Sequence, residues 1–273
     1  MRSVLRRLLA GELTAAEAEA ELRRVQLEEL AGHARLDLGR PNRRGLPEVV
    51  LASGKLPEDA ARLTVALARE LGQGLASRLG PDHWRALDDR AGAAGLEVRR
   101  YHAAARVLRP GFAPEARPGR VALLTAGTSD LDAADEARMV IEACGLEARL
   151  QADLGVAGLH RLMGPLAELL AWGPEVLVVA AGMDGVLPGV VAGLVDLPVI
   201  GLPVSVGYGV GGRGEAALLT MLQSCSTGLV VVNVDNGVGA GAAAVLIAGR
   251  AGAAGTRRSR PGRARRGSAG PVR

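Results

Sequence analysis

The groups able to do chemistry in this chain gather in short glycine-bearing strings. Gly127-Thr128-Ser129-Asp130 follows an apolar run and opens onto a helical pattern. Backbone N–H groups at a helix start, with two hydroxyls beside them, suit a phosphate oxygen; Ser129 or Asp130 also suits a plain N-cap. In Asp153-Leu154-Gly155-Val156-Ala157-Gly158-Leu159-His160-Arg161 a proton carrier stands next to an anion clamp, although a lone histidine is more often structural. Ala181-Gly182-Met183-Asp184-Gly185-Val186-Leu187-Pro188-Gly189 sets a carboxylate in an apolar loop. Burial there would raise the pKa of Asp184 and fit it for proton transfer, the plainer role being a helix cap.

Two further strings follow. Ser205, Gly207, Tyr208, Gly209, Gly211 and Gly212 share one loop, which implies close approach of a ligand to backbone or a mobile lid. Asn233 to Gly241 is loosely like a dinucleotide fingerprint, but no later strand supplies an acid for a ribose, so a Rossmann assignment is set aside. Cys225 lies near a helix C-terminus, where the dipole disfavours a thiolate and most cysteines only pack. It precedes Ser226-Thr227-Gly228, whereas Cys144 has no polar company. Lys55 is the single lysine beside 32 arginines, a compact ammonium suited to phosphate or carboxylate, or else a chance survivor.

Regular elements must position these groups. Apolar runs Val121 to Ala126, Leu146 to Gln151, Val176 to Ala181, Val199 to Leu202 and Leu229 to Val234 alternate with helical stretches near 130–143, 158–171, 186–195, 215–224 and 240–249. That alternation predicts an α/β fold with a doubly wound five-stranded parallel sheet and ligands outside the carboxyl ends of its strands. Ahead of it, a smaller α/β domain over residues 1–108 is expected. It would hold a capped helix from Thr14 to about Arg24, strands at Ala34 to Leu38, Glu48 to Leu51, Gly74 to Ser77 and Leu96 to Arg100, and helices from Pro57 to Leu71 and from Pro81. Residues 39–45 read as a loop. Residues 109–119, with three prolines and two glycines, read as a linker, 120–249 as the catalytic domain and 250–273 as a disordered arginine-rich tail.

Composition narrows the class. One Phe, two Tyr and two Trp are too few for the stacking platforms that read single-stranded nucleic acid. The net charge of +4 is misleading, because eight arginines and no acid lie from Arg250 onward, leaving 25 basic groups against 29 acids before them. Two cysteines cannot build a disulfide framework and Arg6 and Arg7 interrupt the only early apolar run, which points to a reducing cytoplasm. Asp184, Asp196, prolines and glycines divide 176–212 into pieces too short to span a membrane.

Taken together, GTSD, DLGVAGLHRL, AAGMDGVLPGVVAGLVDLPVIGLPVSVGYG and ALLTMLQSCSTGLVVVNVDNGVGAG resemble the LarB family of nickel-pincer nucleotide cofactor biosynthesis. Asp37, Arg40, Arg43, Gly45, Pro47-Glu48-Val49-Val50 and Gly54-Lys55 are similar to that family's N-terminal signature. The resemblance implies a carboxylase/hydrolase that turns nicotinic acid adenine dinucleotide and CO2 into pyridinium-3,5-biscarboxylic acid mononucleotide and AMP. It implies that Cys225 adds to C4 of the pyridinium, that C5 then takes up CO2, and that Asp184, where the family usually has Glu, removes the C5 proton. His160 would be a spare acid/base, and Thr128, Ser129 and Asp130 would hold phosphate and ribose beside Arg161. Tyr208 and the neighbouring glycines, Gly207 among them, would close over the ring, with Gly182 and Ser205 also binding substrate. Lys55 with Arg40, Arg43 and Arg44 would reach the pyrophosphate or AMP half, and Mg²⁺ would assist phosphoanhydride cleavage.

The catalytic half is also similar to aminoimidazole ribonucleotide carboxylases, which have a serine-rich phosphate loop, a His-Arg pair and a His just before Leu-Pro-Gly. Val186 stands at that last position here, which disfavours a purine substrate. The competing readings are a purine-type carboxylase or mutase and a nucleotide-binding module without chemistry. Gly- and Ala-rich helices suggest homo-oligomerisation, and the resemblance favours an octamer with sites shared between subunits.

Overall fold

The computed structural model describes residues 2–18, 27–30 and 34–258. The catalytic half is built on β7 (Arg120–Thr125), β8 (Glu147–Gln151), β9 (Val176–Ala181), β10 (Val199–Pro203) and β11 (Leu229–Val231), each followed by one of the helices α5 (Leu131–Ala143), α6 (His160–Trp172), α7 (Leu187–Ala192), α8 (Glu215–Leu222) and α9 (Gly237–Arg258). All neighbouring strands are parallel, in the order β11-β10-β9-β7-β8. Counted along the chain this is the 2-1-3-4-5 order of flavodoxin-like sheets. The winding direction reverses between β7 and β9, the position past whose carboxyl ends such sheets bind ligands.

Side-chain alternation sorts the helices between the two faces. Val121 and Leu123 of β7 point to one face, covered by Ala133 and Ala137 of α5 and Ala240, Ala244 and Ala248 of α9. Ala122 and Leu124 point to the other, under Leu162 and Leu166 of α6, Leu187 and Val191 of α7 and Met221 of α8. The central β9 is buried at every position, which is why it reads as an unbroken apolar run. Helices α5 and α9 touch backbone to backbone. A Cβ at Gly241 would stand 2.6 Å from the Ala137 carbonyl oxygen, so glycine is required there.

The N-terminal half contains α1 (Arg2–Leu9), the antiparallel pair β1 (Leu27–Leu30) and β2 (Ala34–Asp37), α2 (Arg40–Arg44), β3 (Val49–Leu51), α3 (Pro57–Leu71), β4 (Gln73–Ser77), α4 (Pro81–Ala93), β5 (Glu97–Tyr101) and β6 (Ala104–Leu108). Strands β3-β4-β6-β5 form a mixed sheet, parallel only between β3 and β4. Each of α3 and α4 starts on a proline, whose fixed φ suits the first helical turn, and α3 ends on Gly72 at φ 84°. This domain docks on the outer face of α5, where Leu75, Tyr101 and Ala104 pack against Met139, Val140 and Ala143. Helix α5 is thereby enclosed on both sides, and its Asp135 and Glu136 are buried with it.

Several expectations are corrected. Residues 39–45 are not all loop: Arg40–Arg44 make one helical turn, closed by Gly45 at φ 69°. Strand β6 escapes the sequence pattern because Ala104, Ala105 and Arg106 carry no apolar signal, yet all three are buried between β4 and β5. Helix α7 and strand β11 are shorter than their apolar runs. Helix α9 passes the expected end at 249 and continues to Arg258, because Gly249 and Gly252 bring it against Arg117, Pro118 and Gly119. The rest of the run to Arg24 and residues 259–273 lie outside the described residues. Among the described residues no helix is long and apolar enough to cross a membrane.

Candidate active site

The loops at the carboxyl edge of the catalytic sheet hold unusual backbone. Among the described residues five non-glycines have positive φ: Arg78, Asp153, Met183, Arg213 and Asp235. Four follow β8, β9, β10 and β11, and the fifth follows β4 of the N-terminal sheet. Such conformations persist only where their surroundings hold them, and they gather at functional sites.

Asp130 ties the first loop to the third. Thr128–Asp130 form a single 3₁₀ turn after β7, leaving Thr128 and Ser129 exposed and Asp130 buried. The Asp130 carboxylate accepts the Gly127 N–H at 2.8 Å, and the backbone N–H groups of Ala126 and Gly182 also face it. Burial outweighs these bonds and raises the Asp130 pKa. Gly182 cannot carry a side chain: its Cβ would fall 2.2 Å from the Val206 carbonyl oxygen. Met183 N–H donates to that same oxygen at 3.2 Å and Val204 N–H donates to Ala181 O at 3.0 Å, which extends the β9–β10 pairing into the loops.

Asp184 projects from this platform. It is exposed, and its Oδ1 accepts the Val186 N–H at 3.4 Å at the start of α7. The burial expected for Asp184 belongs instead to Asp130, which lies between its own turn after β7 and Gly182 of the loop after β9. Arg161 and His160 are exposed on the first turn of α6. The Arg161 guanidinium meets both carboxylate oxygens of Asp153 at 3.0 Å and lies over Gly155 and Gly158, close to the loop after β7. The fourth loop lies open to solvent from Val206 to Val210, with Tyr208 82% exposed. Its base is fixed: Ser205 N–H donates to Asp235 Oδ1 at 2.8 Å and Gly207 lies against Met183.

The remaining candidates lie elsewhere. Cys225 is exposed in the turn between α8 and β11, flanked by Ser224 and Ser226; Ser226 Oγ donates to Gly189 O of α7 at 2.7 Å. Gly185 packs on Ala217 and Gly189 on Ser224, so Cys225 sits about 10 Å of helix below the Asp184 loop, toward the amino edge. Cys144 is buried, which pushes its thiol up to about 11. Arg43 pairs with Asp37, and the turn carrying Arg40 and Arg43 ends at Gly45, beside Cys144 and Arg117. That places it at the far end of α5, about 20 Å from Thr128–Asp130. Lys55 is exposed just past β3, on the same edge of the N-terminal sheet as Arg78.

Two residues that the sequence pattern passes over belong here. Arg78 donates to the Asp235 carbonyl at 2.7 Å, so the N-terminal domain grips the fifth loop. Glu136 of α5, 3.9 Å from Arg78 Nε, is buried and its carboxyl is pushed up to about 7 by desolvation. Glu136 follows Asp135 in a charged stretch of α5, so nothing in the sequence marks it as buried. Among the described residues no three His, Cys, Asp or Glu side chains converge as a metal site.

Comparison with known proteins fits this architecture. The AIR carboxylase family model matches residues 120–260, and the LarB/PurE-like N-terminal domain model matches residues 27–110. An uncharacterised protein of Methanocaldococcus jannaschii is 36% identical over 259 residues, covering 91% of this chain and 96% of its own. A probable N5-carboxyaminoimidazole ribonucleotide mutase of Methanothermobacter thermautotrophicus is 34% identical over 135 residues, 48% of this chain but 38% of that protein. A crystallised variant of Treponema denticola PurE2 superposes on half of the chain (50%, and 77% of its own) with 22% identity and a TM-score of 0.38. With an AIR carboxylase domain of carboxylase type behind a LarB/PurE-like N-terminal domain, the chain belongs to the LarB family.

Proposed function

We propose that this protein carboxylates the pyridinium ring of nicotinic acid adenine dinucleotide and hydrolyses its phosphoanhydride, yielding AMP and pyridinium-3,5-biscarboxylic acid mononucleotide. The observation that carries the reading is the buried Asp130. It joins a turn with two free hydroxyls to the loop bearing an exposed carboxylate, Asp184, at the switch point of the sheet. Thr128 and Ser129 then hold the mononucleotide phosphate, with Arg161 alongside, and Asp184 faces the ring. Val186, in place of a histidine, leaves that loop without the imidazole of the purine enzymes.

A pyridinium is too electron-poor to attack CO2. The Cys225 thiolate adds to C4, its electron pair neutralising the ring cation and leaving a dihydropyridine whose C5 is nucleophilic. C5 forms the new bond to CO2, supplied from bicarbonate; Asp184 takes the C5 proton; expulsion of the thiolate restores the aromatic cation. Water cleaves the phosphoanhydride. Mg²⁺ would assist that cleavage by neutralising charge on the leaving phosphate. Because Cys225 lies toward the amino edge, the site is completed by a second copy. Leu219 and Leu222 at the end of α8 and Val230 of β11, on either side of Cys225 in the chain, are exposed apolar side chains that suit such a contact.

The test is to incubate the protein with the dinucleotide, labelled bicarbonate and Mg²⁺ and to follow products by mass spectrometry. AMP together with a labelled dicarboxylated mononucleotide is the expected result. Cys225→Ala should lose carboxylation while still binding the dinucleotide; normal turnover by that variant would end the covalent mechanism. Turnover of an aminoimidazole ribonucleotide instead would assign the purine-type reaction.

A further inference from the structure

The N-terminal domain does more than cover α5. Arg78 stands immediately after β4 at φ 56°, and its Nη2 donates to the Asp235 carbonyl across the domain boundary at 2.7 Å. Asp235 is itself at φ 54°, with its N–H donating to Pro203 O at 2.9 Å and its Oδ1 accepting the Ser205 N–H at 2.8 Å. Ser205 begins the exposed glycine loop, whose other end returns at Gly214 against Val204, Ser205 and Val234. Buried Glu136 flanks the Arg78 guanidinium at 3.9 Å, on the side of α5 away from the sheet. Two strained residues from different domains are therefore joined head to tail, and the second holds the base of the loop.

We propose that Arg78 is a positioning residue: through Asp235 it lets the N-terminal domain set the conformation of the glycine loop beginning at Ser205. The argument rests on the hydrogen-bond chain and is independent of which substrate the site takes. A cation is needed because the Asp235 carbonyl accepts a charge-assisted bond, the kind that holds a strained backbone most firmly. Arg78 is 44% exposed, so its truncation leaves no cavity in the core.

Amide hydrogen exchange on the full chain tests this. In Arg78→Ala, the hydrogen-bonded amides at the base of the loop, Ser205 and Asp235, should exchange about tenfold faster, corresponding to about 1.4 kcal/mol of lost local stability. Exchange in β9 and α3 should stay as in the parent at pH 5, where Glu136 is protonated and needs no cation beside it. Arg78→Lys keeps a charged donor and should restore much of the protection. Parent-like protection at Ser205 in the alanine variant would overturn the proposal. So would acceleration spread equally over β9 and α3, because that would make Arg78 a general stabiliser of the fold.

Discussion

Glu136 and Asp130 show how far a carboxylate's environment departs from what its neighbours in sequence suggest. Glu136 has a folded pKa near 7 against an ordinary 4.5, so its favourable contribution is complete below pH 4.5 and is lost as pH rises toward 7. Above that the fold carries a buried charge costing about 3 kcal/mol, at ~1.4 kcal/mol per unit. Glu136→Gln should therefore stabilise the protein at pH 8 by roughly 1–3 kcal/mol in urea unfolding and leave it little changed near pH 4.5. Equal or lower stability at pH 8 would contradict this account. That Thr128, Ser129 and Arg161 stand exposed past the strand ends was legible from residue type and loop position alone. The burial of Asp130 in place of Asp184 was not, because it depends on Gly182 of the loop after β9 closing over the Ala126–Asp130 turn.

At the scale of elements, strand alternation was legible because each parallel strand is buried on both faces and so spells an apolar run. Strand β6 was not, since alanines and a buried Arg106 spell nothing. Nor was the end of α9: glycine-rich sequence reads as flexible until the linker at Arg117–Gly119 is seen lying against it. The same close packing makes a prediction. Gly241→Ala places a methyl 2.6 Å from the Ala137 carbonyl oxygen and must push α9 off α5. Calorimetry should show a cost of about 1–3 kcal/mol, a fall of roughly 2–10 °C in Tm. An unchanged Tm would mean the seam between these helices is soft.

Over the whole molecule, the acids of α5 make sense only with both domains present: Asp135 meets His102 and Arg138, and Glu136 meets Arg78. A single-domain pattern cannot display that dependence, which is why these residues were passed over in the sequence. The proposed second copy can be tested at the same scale. Leu219→Glu charges the exposed end of α8 and should reduce the assembly mass seen by native mass spectrometry while leaving the circular dichroism unchanged. An unchanged mass would place the contact elsewhere. The lone lysine offers a last consequence. The Lys55–Leu56 bond lies in an exposed turn, with Leu56 69% exposed and the Lys55 carbonyl 3.1 Å from His83 Nε2. A protease that cuts only after lysine thus has one scissile bond in the entire sequence. The rate of that single cut, read as two fragments on a gel, becomes a built-in clock for whether a bound dinucleotide reaches the N-terminal domain.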